Sequence, residues 1–242
     1  LGLGDTLQVL LSVLVPTLLA YLVLQALQPL VFGFAWIAAA VVLLLYSMGR
    51  GNLGAKKERY RSQCRREDFE GALLAASSDY DWFADEEKLD ADSIHRGVQQ
   101  GFLYEDSQRW FAVLFYFLLF GPVGALAYRL LYLACQGSSA RQEIMVYVDW
   151  LPVRLLAASF ILTGNFVASA DELWDSLRAP GMSSPEVLYT VAMAATGQDK
   201  VAPDEGQISG QRAASENEMF AGLVRRASIC WVAIIAALVV LL

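Results

Sequence analysis

The chain has 242 residues, 56% of them hydrophobic, with a mean hydropathy of +0.43 and a formal charge of −7. That acidity excludes a general nucleic-acid binder. The lone His95 leaves little for histidine-based metal sites, and Cys64, Cys135 and Cys230 show no CxxC spacing for zinc or redox chemistry. The apolar residues are gathered into blocks rather than dispersed by periodicity. From Thr6 to Gly49 there is no Asp, Glu, Lys, Arg or His, and a hydrocarbon core about 30 Å thick needs about 20 apolar helical residues. The expectation is an all-α, polytopic helical membrane protein with four or five transmembrane spans and cytoplasmic helical loops. A signal peptide is excluded by the length of the first block and by the absence of a basic start. Because the chain opens on Leu1 rather than Met, residues upstream are expected.

The first span is placed at about Leu7–Leu27, with Pro16 inside it, and the second at about Leu30–Met48 after a Gln28-Pro29 turn; together they form a hairpin over residues 1–49. A polar segment over 50–109 opens basic (Arg50, Lys56, Lys57, Arg59, Arg61, Arg65, Arg66) and turns acidic between Asp79 and Asp92. Within it, Leu53–Ser77 reads as one helix, and Asp92 or Ser93 could cap another running through Val98 toward Glu105. The third span is about Trp110–Ala134, interrupted by Gly121-Pro122, where Gly121 and Gly124 would permit close helix contact. A short periplasmic link, Gln136–Glu143, leads to a fourth block, Ile144–Ala170, so residues 110–170 hold spans three and four. Residues 171–226 read as cytoplasmic, with Gly197–Ser215 as a flexible loop, and 227–242 as a last span. The basic cluster after Gly49 sets the orientation by the positive-inside rule, with alternate threading from there.

Gly49-Arg50-Gly51-Asn52-Leu53-Gly54 has GxGxxG spacing followed by Lys56-Lys57. A dinucleotide fingerprint has to follow a strand, and this one follows an apolar helix. The favoured reading is a glycine helix stop with Arg50, Lys56 and Lys57 contacting lipid headgroups or phosphate. Ionisable groups at membrane depth mark functional sites by default, so Glu105, Asp106 and Arg109 before the third span, and Asp149 and Arg154 at the fourth, are the candidate ligand-binding residues. Asn165 joins them, being eleven residues from Arg154 and so near the same helix face, with Ser159 and Thr163 as a second polar row. The competing reading has Arg154 snorkelling to headgroups and pairing with Asp149. His95 is expected at the surface, the acidic run as a solvated face without calcium-loop spacing, and Trp82, Trp110, Trp150 and Trp231 as interfacial anchors. No catalytic residue, metal ligand or cofactor is assigned.

Leu44–Gly51, Gly121-Pro122-Val123-Gly124-Ala125-Leu126-Ala127-Tyr128-Arg129, Asp149-Trp150-Leu151-Pro152-Val153-Arg154 and Gly164-Asn165-Phe166 together resemble the AmpE family. The likeness implies a multi-pass protein of the bacterial inner membrane that modulates signalling in β-lactamase induction, a response tied to cell-wall recycling. It implies no catalytic mechanism. Partners in that setting are membrane lipids, another membrane protein or a cytoplasmic cell-wall-recycling amidase. A more distant likeness is to the membrane enzymes that form adenosylcobinamide phosphate with ATP and a metal. Glu105 matches their first acidic residue with Asp106 in place of Asn, Gly124–Arg129 their second stretch and Pro152-Val153-Arg154 their last. Tyr132-Leu133-Ala134-Cys135, Met145 and Val146 stand where those enzymes carry polar and acidic residues, and apolar side chains supply no ligands for a metal. The resulting alternatives to a non-catalytic sensor are an amide-forming enzyme of that type and a structural subunit of a larger membrane complex.

Overall fold

The computed structural model describes residues 3–29, 33–49, 51–66, 68–77, 91–136, 139–179, 181–197 and 209–241. Arg50, Trp82 and all of the acidic run before Ala91 lie outside them. The chain divides into two compact units, one of residues 1–51 and 107–152, the other of 52–106 and 153–242. Among the described residues every regular element is helical. Four helices are long and apolar enough to cross a membrane, at Val9–Leu27, Asp92–Cys135, Glu143–Thr163 and Gly210–Leu241, and Phe34–Ser47 is a shorter apolar helix.

The first unit contains α1 (Leu3–Leu27), α2 (Phe34–Ser47), a π-helical stretch (Ser107–Ala112) and α6 (Val113–Cys135). Leu10, Leu14, Leu18 and Leu22 of α1 and Val42 and Leu45 of α2 are exposed, as suits helices bathed in hydrocarbon. Both helices pack on α6, which is not one rod. Gly121 takes φ 70°, ψ −163°, outside the helical region, immediately before Pro122. A Cβ at Gly124 would lie 2.5 Å from the Tyr116 carbonyl oxygen, eight residues earlier, although eight residues of straight helix span about 12 Å. The rings of Tyr116 and Tyr128 stack with centroids 5.0 Å apart, where a straight helix would set them about 18 Å apart along its axis. The chain therefore folds back at Gly121.

The block expected as one continuous span over Trp110–Ala134 is thus two helical arms that meet at Gly121, the second, 122–135, about 21 Å long. With the chain folded back, Gln136 and the start of the block are expected on one face, against alternate threading. Gly124 permits the close contact between the two arms, its missing Cβ sparing Phe120 and the Tyr116 carbonyl.

The second unit holds α3 (Leu53–Arg65), α4 (Phe69–Ser77), α5 (Ala91–Asp106), α8 (Phe166–Arg178), α9 (Ser184–Thr196) and α10 (Gly210–Leu241), while α7 (Ser139–Thr163) runs from the first unit into it. The single helix expected over Leu53–Ser77 is two, because Asp68 Oδ1 accepts from Gly71 N–H (3.2 Å) and starts a new one. The block expected over Ile144–Ala170 is likewise divided. Gly164 lies against Ala195, whose carbonyl accepts from Asn165 N–H (2.8 Å), and the Asn165 side chain caps α8 at Ala168 N–H (3.4 Å). Helix α10 begins inside the expected loop: residues 210–215 are helical, with Gly210 seated on the Cys64 carbonyl. Its first half buries Ala213, Asn217, Phe220, Leu223 and Ala227, at helical spacing, and its second half exposes Ile229, Val232, Val239 and Leu241. One helix thus serves a protein core and then an apolar solvent.

The fold-back can be checked by thiol labelling. In cysteine-free protein carrying Met48→Cys or Gln136→Cys, a membrane-impermeant maleimide should modify both from one face of a sealed vesicle. Labelling from opposite faces would mean that α6 crosses.

Candidate functional site

In the first unit the fold-back gathers polar groups around its mouth. The turn after α2 has positive φ at Gly49 (78°) and Gly51 (142°), a region costly for side-chain-bearing residues. Arg109 Nη1 donates to the Gly51 carbonyl at 2.7 Å. A Cβ at Gly51 would lie 2.7 Å from Arg109 Nη2, and one at Gly49 would lie 2.6 Å from Arg129 Nη2. Arg129 also lies over the Tyr132 ring, 5.3 Å from its centroid. Deeper in, Tyr116 donates to the Val148 carbonyl and Tyr128 to Asp149 Oδ1, both at 2.8 Å. Asp149 is 1% exposed, and the hydroxyl replaces part of the water it has lost.

The second unit carries a polar layer inside an apolar bundle. Leu53, Tyr60, Ala72, Leu73, Val98, Phe102 and Ala213 form the surrounding core. Lys57 of α3 and Asp106 of α5 pair as ions, and Lys57 lies 5.9 Å from the Phe102 ring centroid. One turn along α3, Tyr60 Oη is 2.6 Å from His95 Nδ1, and His95 Nε2 is 3.3 Å from Glu216 Oε1 on α10. Asn217 Nδ2 donates to Gln99 Oε1 at 2.9 Å. His95 is 2% exposed and Glu216 5%. The surface position expected for His95 is thus corrected: Val98 and Phe102 fix the inward face of α5, and His95 shares it.

Among the described residues Gln99 Nε2 and Asn217 Oδ1 are buried without a hydrogen-bond partner, which costs about 1–3 kcal/mol each. Burial pushes the Tyr60 phenol well above its ordinary range, reinforced by Cys64 and Glu216. Burial likewise raises the Cys64 thiol from 9.0 to about 11, with the Tyr60 hydrogen bond opposing the shift.

The other sequence candidates fall as follows. Lys57 faces inward to Asp106 rather than outward to a headgroup, while Lys56 is half-buried. Glu105 is half-buried in the last turn of α5. Arg154 is 4% exposed and donates through Nη2 to the carbonyls of Ser176 (2.7 Å) and Ala179 (3.4 Å), closing the C-terminus of α8. It does not snorkel. Asn165 caps α8 and is not on the helix that carries Arg154, so the shared face does not exist. The Ser159 and Thr163 hydroxyls turn back onto the Leu156 and Ser159 carbonyls (2.5 and 2.8 Å). Among the described residues no three His, Cys, Asp or Glu side chains gather as a metal ion would require. Sequence reasoning missed Tyr60, Gln99, Glu216 and Asn217. The signal available was the run Ile94, Val98, Phe102 on α5, which marks His95 and Gln99 as neighbours of a buried stripe.

Fold and sites define a polytopic helical membrane protein with a fold-back apolar hairpin and a second helical unit that carries a buried polar layer. The chain belongs to the family described as regulatory signalling modulator protein AmpE, whose sequence model matches residues 4–241. It is also 30% identical over 164 residues to the cobalamin biosynthesis protein CobD of Chromobacterium violaceum, a match covering 62% of this chain and 50% of that protein. The chain thus spans about half the length of that curated relative. No solved structure matches it.

Lys57→Ala should destabilise the protein by about 1–3 kcal/mol, since it removes a charged partner of the half-buried Asp106 carboxylate. Lys57→Met with Asp106→Leu should recover most of that loss in thermal unfolding in detergent. A double variant as unstable as the single would mean that the pair matters for reasons other than its charge.

The raised Cys64 value also sets a pH dependence. The folded state holds the thiol neutral, so its stabilisation is complete below pH 9.0 and is lost as pH rises toward about 11. Stability should fall by roughly 2–3 kcal/mol over that window. Cys64→Ala should flatten the slope between pH 9 and 10, and an unchanged slope would refute the assignment.

Proposed function

We propose that the chain is a non-catalytic regulatory protein of the bacterial inner membrane, acting in β-lactamase induction and cell-wall recycling. Membership of the signalling-modulator family supports the regulatory part. The observation that carries the reading further is the buried layer Lys57–Asp106 and Tyr60–His95–Glu216, built from side chains of α3, α5 and α10. Buried pairs between helices give a bundle discrete arrangements, and a ligand or partner that binds one arrangement better shifts the balance. The basic residues of α3 (Lys56, Arg59, Arg61, Arg65) support a cytoplasmic placement of that helix.

Partners in this reading are membrane lipids and either another membrane protein or a cytoplasmic cell-wall-recycling amidase. Glu105, Asp106, Arg109 and Asp149 remain the proposed ligand-responsive positions, with Arg50 and Lys56 proposed at the lipid surface. A second reading, an ATP-dependent amide-forming enzyme, is favoured by the likeness to the cobalamin biosynthesis protein.

The test is complementation. In cells deleted for this gene and challenged with a β-lactam, the full chain should restore inducible β-lactamase activity. Glu216→Gln, at equal membrane abundance, should lower the induced level several-fold without changing the basal one. Induction indifferent to the deletion would overturn the proposal, and ATP turnover by the purified full chain would transfer it to the second reading.

A further inference from the structure

We infer that Arg109 and Arg129, held against the Gly49–Gly51 turn, form a binding site for a phosphate group at the mouth of the fold-back hairpin. The site stands independently of the regulatory reading. Arg109 precedes the first arm and Arg129 lies on the second, twenty residues later, about 30 Å away along a straight helix. The reversal at Gly121 brings both guanidinium groups to one turn, onto positions two residues apart, which is at most about 7 Å of backbone.

Gly49 and Gly51 leave room for them. The Arg109 and Arg129 nitrogens come within 2.7 and 2.6 Å of where a Cβ would stand at Gly51 and Gly49, a separation that real Cβ atoms do not tolerate. Glycine with positive φ is needed at both positions for the arginines to lie there. The Gly51 carbonyl fixes one edge of the Arg109 fork, and the Tyr132 ring supports the Arg129 face. Among the described residues Arg129 makes no ion pair with a carboxylate.

Two guanidinium groups held against residues two positions apart offer an anion donors from both arms. Their planar forks match the oxygens of a phosphate in a bidentate manner. The turn directly follows α2, whose Leu45 and Tyr46 are exposed, so a site at the end of that lipid-facing helix lies at the depth of headgroup phosphates. The GxGxxG spacing therefore has a purpose other than a dinucleotide fold: its glycines make room for arginines, and the arginines supply the donors.

The ligand is a phosphate carried by a lipid headgroup or by a small soluble molecule, and two arms separate these sources. The full chain, purified in non-ionic detergent, is titrated with inorganic phosphate against chloride of equal ionic strength, with thermal stabilisation as the readout. In parallel it is placed in phosphatidylcholine nanodiscs with or without phosphatidic acid, and retained lipid is counted by native mass spectrometry. Saturable binding is expected in at least one arm. It should weaken about ten- to a hundredfold in Arg129→Gln, since a charge-assisted donor pair is lost, with unfolding of the ligand-free protein unchanged. Arg129→Lys, which keeps the charge but not the fork, should weaken it less and serves if the Gln variant fails to fold. Binding in the phosphate arm alone names a soluble ligand, and in the lipid arm alone a headgroup. No saturable binding in either arm, or binding indifferent to both substitutions, overturns the proposal.

Discussion

The backbone of Gly121 is the constraint on which the first unit depends. A single residue outside the helical region turns one apolar block into two short arms, and the polar chemistry of that unit follows. Pro122 suits the position because it has no N–H to leave unpaired at the break. In hydrocarbon each unsatisfied backbone group costs several kcal/mol, so a reversal survives only where the bend is short and packed. Tyr116 and Tyr128 provide that packing: their rings stack across the fold and their hydroxyls find the Val148 carbonyl and Asp149. The same reversal carries Arg109 and Arg129 to the turn after α2. A straight helix would have left Arg129 among apolar neighbours and Tyr116 without its stacking partner.

The second unit answers a different solvent problem. Its core is apolar but admits a layer of ionisable and amide side chains, most of them partnered on another helix. Such a layer costs desolvation and contributes little net stability unless every member is satisfied. Two amide atoms, Gln99 Nε2 and Asn217 Oδ1, stay unsatisfied among the described residues. A layer of this kind is therefore weak evidence for stability. Arg154 illustrates how position governs role. Its guanidinium closes the end of α8 from within the bundle, which a residue at headgroup depth would not do.

The 30% identity over 164 residues with a cobalamin biosynthesis protein fits this division of labour. Within Gly124–Arg129 and Pro152–Arg154, the stretches that carried the resemblance, Gly124, Tyr128 and Arg154 serve scaffold roles here. Gly124 and Tyr128 belong to the fold-back, and Arg154 caps a helix. Motifs that hold a scaffold together can persist between chains of different chemistry, because packing constrains them whatever reaction is performed.

The sequence by itself determined the solvent of each segment. Uncharged blocks long enough for a bilayer, basic residues after Gly49 and the motifs from Leu44 to Phe166 sufficed for the membrane class and the family, because hydropathy and short-range motifs are local properties of the chain. It also located the ends of α1, α2 and α5 to within a few residues, but not α8, α9 or the start of α10. What only the tertiary structure decided was the partner of each polar group. Whether Gly121-Pro122 kinks a crossing helix or reverses it depends on what Tyr116 meets. Whether His95 is wet or buried depends on α3 and α10, more than thirty residues away on one side and more than a hundred on the other. Arg154 and Asn165 share a face only if one helix holds both, and Ala195 of a later helix is what ends that helix first. Contacts of this range carry no local signature, since the residues that make them are ordinary for their own segments and become a site only when folding brings them together.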